Sequence, residues 1–359
     1  MNDKLRVMVV DDSAFNRRTI GDLLANMDGV EVVGKAADGD EALRLAASLA
    51  PDLITLDLEM PRMDGFTFLR LLMARQPTPV IVVSGNSARE NVFRALELGA
   101  LDFIAKPTRT IAADLTAIQQ ELAQKVAMVR MLTPAGRDPR KRALKGGMFS
   151  TATDRHPALP GMPSNERELP LGKLLVIGAS TGGPSALVEM FAQFKAHTSG
   201  AIVVAQHMPE RFTKTFAERL HKLGGVKVSE AREFEPLTPG RAFLCPGGKC
   251  IEVVTYGNGF AVSVVDPAPG DRFIPSVDRL FRSAAEVAGE RVVGVVLTGM
   301  GDDGARGVVA IKARGGQVLA EAPETAVIYG MPGAAMRTGE VDKSMPLGAL
   351  ATHVADLIV

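Results

Sequence analysis

The chain has 359 residues, more than one hydrophobic core usually supports, so two domains are expected. Its 41 basic and 41 acidic residues cancel, and no basic tract dominates a domain, which argues against nucleic acid as the partner. The first apolar run is too short for a signal peptide and no run approaches the roughly 20 residues of a membrane span, so we expect a cytoplasmic protein without direct membrane insertion.

The first third of the chain alternates apolar runs with segments of helical spacing. The predicted strands are Val7–Val10, Val30–Val33, Leu53–Leu56, Val80–Val83 and Phe103–Ala105. A last helix is predicted from Ala112 to Met131. Five strand–helix units of this length are typical of a doubly wound, five-stranded parallel sheet with helices on both faces. We assign this domain to residues 1–131.

Residues 132–170 have the composition of a flexible linker. Six prolines are scattered there among glycine, serine, threonine and charged residues, and the few apolar residues cannot bury enough surface to order the segment. A basic cluster between Arg137 and Lys145 could dock on an acidic partner, but a solvated linker is the simpler interpretation.

Alternation of strands and helices resumes after the linker, which predicts a second doubly wound, mostly parallel α/β hydrolase-like domain over residues 171–359. The predicted parallel strands are Leu174–Ile177, Ile202–Ala205, Val292–Leu297 and Gln317–Ala320. The predicted helices are Pro184–Phe194, Phe212–Leu223, Val277–Ala288 and Ala305–Ala313. Shorter β segments, predicted as hairpins, are Val226–Ser229, Ala242–Leu244, Ile251–Val254 and Ala261–Val265. A further hairpin is expected where Cys245 and Cys250 flank a Gly-Gly turn, with both as plain thiols.

Charged and polar residues follow four of the first five strands. Asp11 and Asp12 follow the first strand, Asp57 the third, Ser84 the fourth and Lys106 the fifth. Parallel strands bring their carboxyl ends to one edge of the sheet, so these side chains are expected to lie together. Three carboxylates are suitable ligands for Mg²⁺, and the Asp57 carboxylate could act as a nucleophile on phosphorus. Acids at strand ends can instead cap the next helix, but capping does not explain the whole ordered set.

These groups lie in stretches that resemble the two-component response-regulator receiver: Val9–Ser13, Leu56–Gly65 and Ala105–Pro107. The resemblance implies that Asp57 is the phosphoacceptor and that a histidine kinase is the donor. It implies that Ser84 and Lys106 contact the phosphoryl oxygens and that Phe103 is the switch aromatic. It also implies a Mg²⁺ site formed by Asp11, Asp12 and Asp57.

A second group of candidate residues lies in the second domain. Ser180 lies in a glycine-rich turn, residues 178–184, between a predicted strand and a helix, which suits a nucleophile beside backbone N–H groups but also a phosphate cradle. A dinucleotide site would favour an acid at the end of the next strand, and that position has His207 instead. His207 is the only one of five histidines at a predicted strand end, and histidine is the side chain best suited to act as a base.

The third member of a catalytic set is expected after the strand at Val292–Leu297, where either Asp302 or Asp303 could orient the imidazole. Spacing alone does not choose between the two acids. Taken singly, each motif also fits a purely structural role: glycines that form a turn, a histidine whose hydrogen bonds are made within the core, or an acid that caps a helix. Their joint location at carboxyl ends of strands favours a serine hydrolase.

Three stretches, Ile177–Pro184, Gln206–Pro209 and Leu297–Gly304, resemble the catalytic domain of the chemotaxis protein-glutamate methylesterases, the CheB family. The resemblance implies that Ser180 is the nucleophile, His207 the general base and Asp303 the orienting acid. The backbone around Thr181 and Met300 would line the oxyanion hole. Asp302 stands where the family commonly has asparagine.

The two resemblances together imply a phosphorylation-activated serine esterase. Its substrates would be glutamate γ-methyl esters on methyl-accepting chemoreceptors, with deamidation of specific receptor glutamines at the same site. Mg²⁺ would bind the receiver, with no cofactor in the catalytic domain, and the unphosphorylated receiver would cover Ser180. The rival interpretations are a phospho-switched module that binds a nucleotide, a transcription factor without an evident recognition helix, and a serine hydrolase of another ester.

Overall fold

The computed structural model describes residues 4–85, 89–106, 112–132 and 171–359. The predicted linker and its basic cluster lie outside the described residues, apart from Leu132 at the linker's start. None of the helices in the described part combines the length and the apolar composition needed to cross a membrane.

The N-terminal domain has the predicted five-stranded sheet, with every strand pair parallel. Its strands are β1 (Leu5–Val10), β2 (Val30–Ala36), β3 (Leu53–Leu56), β4 (Val80–Ser84) and β5 (Asp102–Ala105). Its helices are α1 (Ala14–Ala25), α2 (Gly39–Leu49), α3 (Gly65–Arg75), α4 (Arg89–Glu97) and α5 (Ala112–Leu132). The strand order β2-β1-β3-β4-β5 places the topological switch point between β1 and β3, which is where ligands bind in open sheets of this kind.

Side-chain caps explain where three helices of this domain begin. The side chains of Ser13, Asp38 and Asp64 accept the backbone N–H three positions later, at the starts of α1, α2 and α3. Asp12 and Asp57 are not the caps of these helices. Helix capping therefore does not account for the acids at the ends of β1 and β3.

The C-terminal domain is built on a seven-stranded sheet in which every pair is parallel. Its strands are β6 (Leu174–Ala179), β7 (Ala201–Gln206), β8 (Lys227–Glu230), β10 (Arg241–Leu244), β13 (Val292–Val296), β14 (Gln317–Glu321) and β15 (Lys343–Met345), and a small antiparallel sheet holds β9 (Glu235–Pro236), β11 (Cys250–Tyr256) and β12 (Gly259–Val265). The helices are α6 (Gly183–Phe191), α7 (Glu210–Lys222), α8 (Val277–Ala288), α9 (Ala305–Ala313), α10 (Met331–Arg337) and α11 (Leu347–Leu357).

The large sheet has the order β15-β14-β13-β6-β7-β10-β8. The chain runs outward from β6 through β7 on one side and outward from β13 on the other. The switch point therefore lies between β6 and β13, and the loops after these strands border the crevice expected there. The doubly wound, mostly parallel fold is confirmed for both domains.

Three of the hairpin predictions were wrong. The segments at Val226–Ser229 and Ala242–Leu244 form β8 and β10, which pair with each other in parallel inside the large sheet. The turn between Cys245 and Cys250 joins strands of different sheets, and both cysteines are buried and free. Strands of four residues carry too little pattern to reveal their partners, because pairing direction depends on the path of the intervening chain. The hairpin of β11 and β12 is confirmed.

The two domains are in contact through aromatic side chains. Phe93 of α4 stacks on Phe216 of α7, with ring centroids 5.0 Å apart. Phe103 of β5 meets Phe212 of α7 edge to face, at 4.5 Å. All four rings belong to one buried apolar cluster that is continuous across the interface. Such contacts bury apolar area and orient the rings specifically.

Candidate active site

The three acids of the N-terminal domain converge at the carboxyl edge of its sheet. Carboxylate oxygens of Asp11, Asp12 and Asp57 all lie within 4.8 Å of one another. The Lys106 ammonium lies 2.5 Å from Asp57 Oδ2 and 3.2 Å from Asp11 Oδ2. Ser84 is brought to the same edge, because its carbonyl accepts the Lys106 N–H over 2.8 Å. The side chains of the three acids and of Lys106 are therefore neighbours, and the backbone of Ser84 lies beside Lys106.

The electrostatics of this pocket fit a divalent cation. Burial raises the pKa of Asp57 to about 6, Lys106 opposes that rise, and the Asp11 charge adds to it. Burial likewise raises the pKa of Asp11. Two buried carboxylates thus share one ammonium group, and an all-oxygen donor set of this kind is the one that Mg²⁺ prefers. The residues present fit the predicted metal.

In the C-terminal domain, Ser180 lies on a tight turn directly after β6. The Gly183 N–H donates to the Ser180 carbonyl over 2.8 Å, which closes the turn before α6. Gly182 has φ 78° and ψ −13°, a conformation that favours glycine, and a Cβ there would come within 2.8 Å of Val327 Cβ. The turn leaves the Ser180 side chain partly exposed at the switch point.

His207 directly follows β7, the neighbour of β6 in the sheet. Its Nε2–H donates to Asp303 Oδ2 over 2.8 Å. The ring stacks on Phe273 with centroids 5.4 Å apart and planes 8° from parallel. One side of the imidazole is therefore held by a carboxylate and one face by an aromatic ring.

Asp303 is anchored at the start of α8, and its side chain is only 1% exposed. Its two oxygens accept the N–H groups of Val277 over 2.8 Å and Asp278 over 2.9 Å. Burial acts to raise the pKa of Asp303, but the hydrogen bonds from His207 and from these N–H groups outweigh it, and the net pKa is lowered. Asp303 therefore carries a stable negative charge against the imidazole.

Asp302 has a different environment, although it is the adjacent residue. Its carboxylate is about half exposed and pairs with Arg272 over 3.2 Å. The structure thus brings Asp303 to His207 and turns Asp302 outward.

The backbone carbonyls of Ser180 and His207 are linked through Gln206, whereas no hydrogen bond joins the side chains of Ser180 and His207 in the described part of the chain. The Nε2 amide of Gln206 donates to the carbonyls of both Ser180 and His207, each over 2.9 Å. The His207 N–H donates to the carbonyl of Ala179 over 2.9 Å. The Gln206 side chain is buried, so its two N–H groups replace water at these carbonyls.

The loop after β13 closes the other side of Ser180. The Ser180 N–H donates to the Thr298 carbonyl over 3.0 Å, and a Cβ at Gly299 would lie 2.7 Å from Ser180 Cβ. This close approach requires glycine at position 299. Within the described residues, the N–H groups of Thr181 and Met300 have no hydrogen-bond partner. Thr181 is next to Ser180, and Met300 follows Gly299, so both N–H groups are candidate donors beside Ser180.

A polar contact between the domains reaches the residue next to Ser180. The Thr181 hydroxyl donates to Asp102 Oδ2 over 2.8 Å, and the Lys125 ammonium contacts the same oxygen at 2.6 Å. Ile328 and Met300 pack into an apolar cluster that consists otherwise of N-terminal residues. Sequence reasoning missed the parts played by Asp102, Gln206 and Phe273, because contacts across an interface or between loops leave no periodic signal.

Comparisons with known proteins agree with both halves of the chain. A family model described as CheB methylesterase matches residues 175–354, and a response regulator receiver domain model matches residues 7–118. The chain is 45% identical over 358 residues to "Protein-glutamate methylesterase/protein-glutamine glutaminase 3" of Geobacter sulfurreducens, covering 98% of this chain and 96% of that protein. It is 48% identical over 356 residues to "Protein-glutamate methylesterase/protein-glutamine glutaminase 6" of Anaeromyxobacter dehalogenans, covering 98% and 95%.

A solved structure is also similar to the second half. The CheB methylesterase catalytic domain of Thermotoga maritima is 34% identical, with a TM-score of 0.51, and the match covers 52% of this chain and 99% of that one.

Proposed function

Since this chain belongs to the CheB methylesterase family and carries a response regulator receiver domain, we propose that it is a phosphorylation-activated protein-glutamate methylesterase and protein-glutamine glutaminase of the cytoplasm. Its substrates are methylated glutamates and selected glutamines of chemoreceptors. The names of relatives that span nearly the whole chain support this activity. The matched ranges support our assignment of the receiver to residues 1–131, a linker to 132–170 and the catalytic domain to 171–359.

The single observation that carries the catalytic assignment is the charged hydrogen bond of His207 with Asp303, one strand away from Ser180. Asp303 holds Nε2, so Nδ1 is the nitrogen left to accept the Ser180 proton when the two side chains meet during the reaction. The Ser180 oxygen attacks the γ-carbonyl, and Asp303 stabilises the imidazolium that forms. The imidazolium then gives its proton to the leaving methanol, or to ammonia from a glutamine. Water attacks the acyl-enzyme with His207 again as base, which restores Ser180 and releases glutamate.

The negative oxygen of the tetrahedral intermediate needs donors. The free N–H groups of Thr181 and Met300 flank Ser180 and fit this role. Removing one such donor typically costs on the order of 100- to 1,000-fold in kcat. Amide and ester substrates share this intermediate, so one site serves both reactions.

In the receiver, Asp57 accepts the phosphoryl group from a histidine kinase as an acyl phosphate. Asp11, Asp12 and Asp57 would hold Mg²⁺, which neutralises charge on the phosphoryl oxygens when bound. Lys106 and Ser84 contact the same oxygens. Phe103 is one residue from Asp102 and packs on α7, so it is suited to pass a change at the pocket to the interface.

The interdomain contacts supply the basis for regulation. The receiver contacts Thr181 and packs against Met300 and Ile328, at the edge of the proposed oxyanion hole. We assign this arrangement to the unphosphorylated, restrained enzyme. Phosphorylation at Asp57 shifts the population towards an open arrangement in which substrate reaches Ser180.

The test is methanol release from membranes that carry methylated chemoreceptors, with and without a small phosphodonor. The parent chain should release methanol faster with the phosphodonor, Asp57→Asn should lose that increase, and Ser180→Ala should release none while remaining folded. Methanol release by Ser180→Ala at the parent rate would refute the serine mechanism. If the folded parent protein releases no methanol from these membranes, chemoreceptors are not its substrate. If it then binds a nucleotide tightly, the chain is better explained as a binding module.

A further inference from the structure

Thr298 uses each of its hydrogen-bonding groups within the loop behind Ser180, and it is only 1% exposed. Its N–H donates to Glu321 Oε2 over 2.8 Å, and its carbonyl accepts the Ser180 N–H over 3.0 Å. Its hydroxyl donates to the Thr181 carbonyl over 2.9 Å and accepts the Ile328 N–H over 2.9 Å. The buried Thr298 side chain thus links the turn of Ser180 to the loop that holds Ile328, while its backbone N–H is held by Glu321 at the end of β14.

These contacts bracket the peptide group between Ser180 and Thr181. Thr298 holds the peptide groups on both sides of it, through the Ser180 N–H and the Thr181 carbonyl. The carbonyl of the central peptide is held by the side chain of Gln206 and the N–H of Gly183. A trans peptide is planar, with its N–H opposite its C=O, so fixing the carbonyl and both neighbours fixes the direction of the Thr181 N–H.

We propose that Thr298 is a positioning residue for catalysis, whose hydroxyl holds the nucleophile turn so that the Thr181 N–H points at the developing oxyanion. The inference rests on the proposed function, because it assigns the N–H of Thr181 to the oxyanion hole. Thr298 does not touch the substrate. Its effect is therefore on the transition state rather than on substrate binding, because only a donor aimed at the oxyanion position stabilises charge that forms there.

The variants Thr298→Val and Thr298→Ser separate the hydroxyl from the shape of the side chain. Valine has nearly the same shape and lacks the hydroxyl, whereas serine keeps the hydroxyl and lacks the methyl group. A misplaced catalytic group costs up to roughly 100-fold in rate. We expect kcat for methanol release to fall roughly 10- to 100-fold in Thr298→Val, with KM within about twofold, and Thr298→Ser to recover most of kcat.

Thr198→Val is the matched control for loss of a buried threonine hydroxyl. Thr198 is 4% exposed and lies just before β7, at the edge of the sheet opposite Ser180, where its hydroxyl donates to the Lys195 carbonyl. This variant should lose thermal stability without losing kcat. All variants are assayed as full-length protein with saturating phosphodonor, so that closure by the receiver does not mask the result.

Three results would overturn the proposal: full kcat in Thr298→Val, a loss confined to KM, or an equal loss of kcat in Thr198→Val at equal stability. If Thr298→Val does not fold, Thr298→Ala replaces it, and an equal loss in Thr298→Ser and Thr298→Ala would refute a role for the hydroxyl. Failure of the proposed function itself is distinguishable, because the parent protein would then release no methanol.

Discussion

The hydroxyl of Thr181 donates to the carboxylate of Asp102 over 2.8 Å, across the boundary between two domains. Thr181 follows the proposed nucleophile, and Asp102 precedes the aromatic residue Phe103 on β5. The other end of β5 leads directly to Lys106, which contacts Asp57. A single four-residue strand thus connects the acidic pocket with the loop that bears Ser180.

Loss of the Asp102 carboxylate should release the catalytic domain. In Asp102→Ala the buried Thr181 hydroxyl has no partner in the closed arrangement, which costs that arrangement about 1–3 kcal/mol. We expect methanol release by unphosphorylated protein to rise by roughly fivefold or more, and the rate with phosphodonor to stay near that of the parent. Lys125→Met is the control, because it removes the ammonium partner of Asp102 and leaves the acceptor for Thr181. An equal rise of the unphosphorylated rate in Lys125→Met would show that the effect comes from damage within the receiver, and not from loss of the contact with Thr181.

The ion pair between Glu97 of α4 and Arg219 of α7 should contribute to closure in a charge-dependent way. Both side chains are partly exposed, so a contribution of about 1 kcal/mol at most is expected. Glu97→Arg and Arg219→Glu should each raise the unphosphorylated rate by roughly two- to fivefold, since like charges then face each other. The double variant restores an ion pair and should return to the parent rate. If the two increases in the unphosphorylated rate instead add up in the double variant, Glu97 and Arg219 do not face each other in the closed arrangement.

The choice between adjacent acids can be tested with one matched pair of substitutions. Asp303→Asn should lower kcat by roughly 1,000- to 10,000-fold, because an amide cannot stabilise the imidazolium and favours the wrong tautomer. Asp302→Asn should keep kcat within about twofold, since its partner is the exposed Arg272. Steady-state methanol release with phosphodonor checks both. A larger loss in Asp302→Asn would reverse the assignment.

Magnesium should stabilise the receiver through the three converging carboxylates. At a free Mg²⁺ concentration ten times its Kd, the expected gain in the free energy of unfolding is about 1.4 kcal/mol. Calorimetry of the full chain should show the receiver transition moving to higher temperature with Mg²⁺. Asp57→Asn should abolish the shift. Asp64 caps α3 and lies outside the acidic cluster, so Asp64→Asn should retain the Mg²⁺-dependent shift.

Local patterns were enough to predict most of the elements. Three apolar runs form strands as predicted, at Val7–Val10, Leu174–Ile177 and Val292–Leu297. A strand that is buried on both faces of a parallel sheet is apolar along its whole length, so its composition alone identifies it. The helix predicted at Val277–Ala288 has those bounds in the structure. By contrast β9, β15 and α10 were not predicted.

By itself, the sequence determined the alternation of strands and helices, and with it the strand ends that carry Asp57, Ser180 and His207. That information is local, because side chains a few residues apart report burial through their spacing. Spacing left Asp302 and Asp303 open as the partner of the imidazole, and the resemblance implied Asp303. Only the tertiary structure brings Asp303 to His207, makes β8 and β10 run parallel, and places Asp102 against Thr181. These relationships join residues up to 96 positions apart in the chain. They depend on the directions of loops and on packing between domains, which no spacing within a segment encodes.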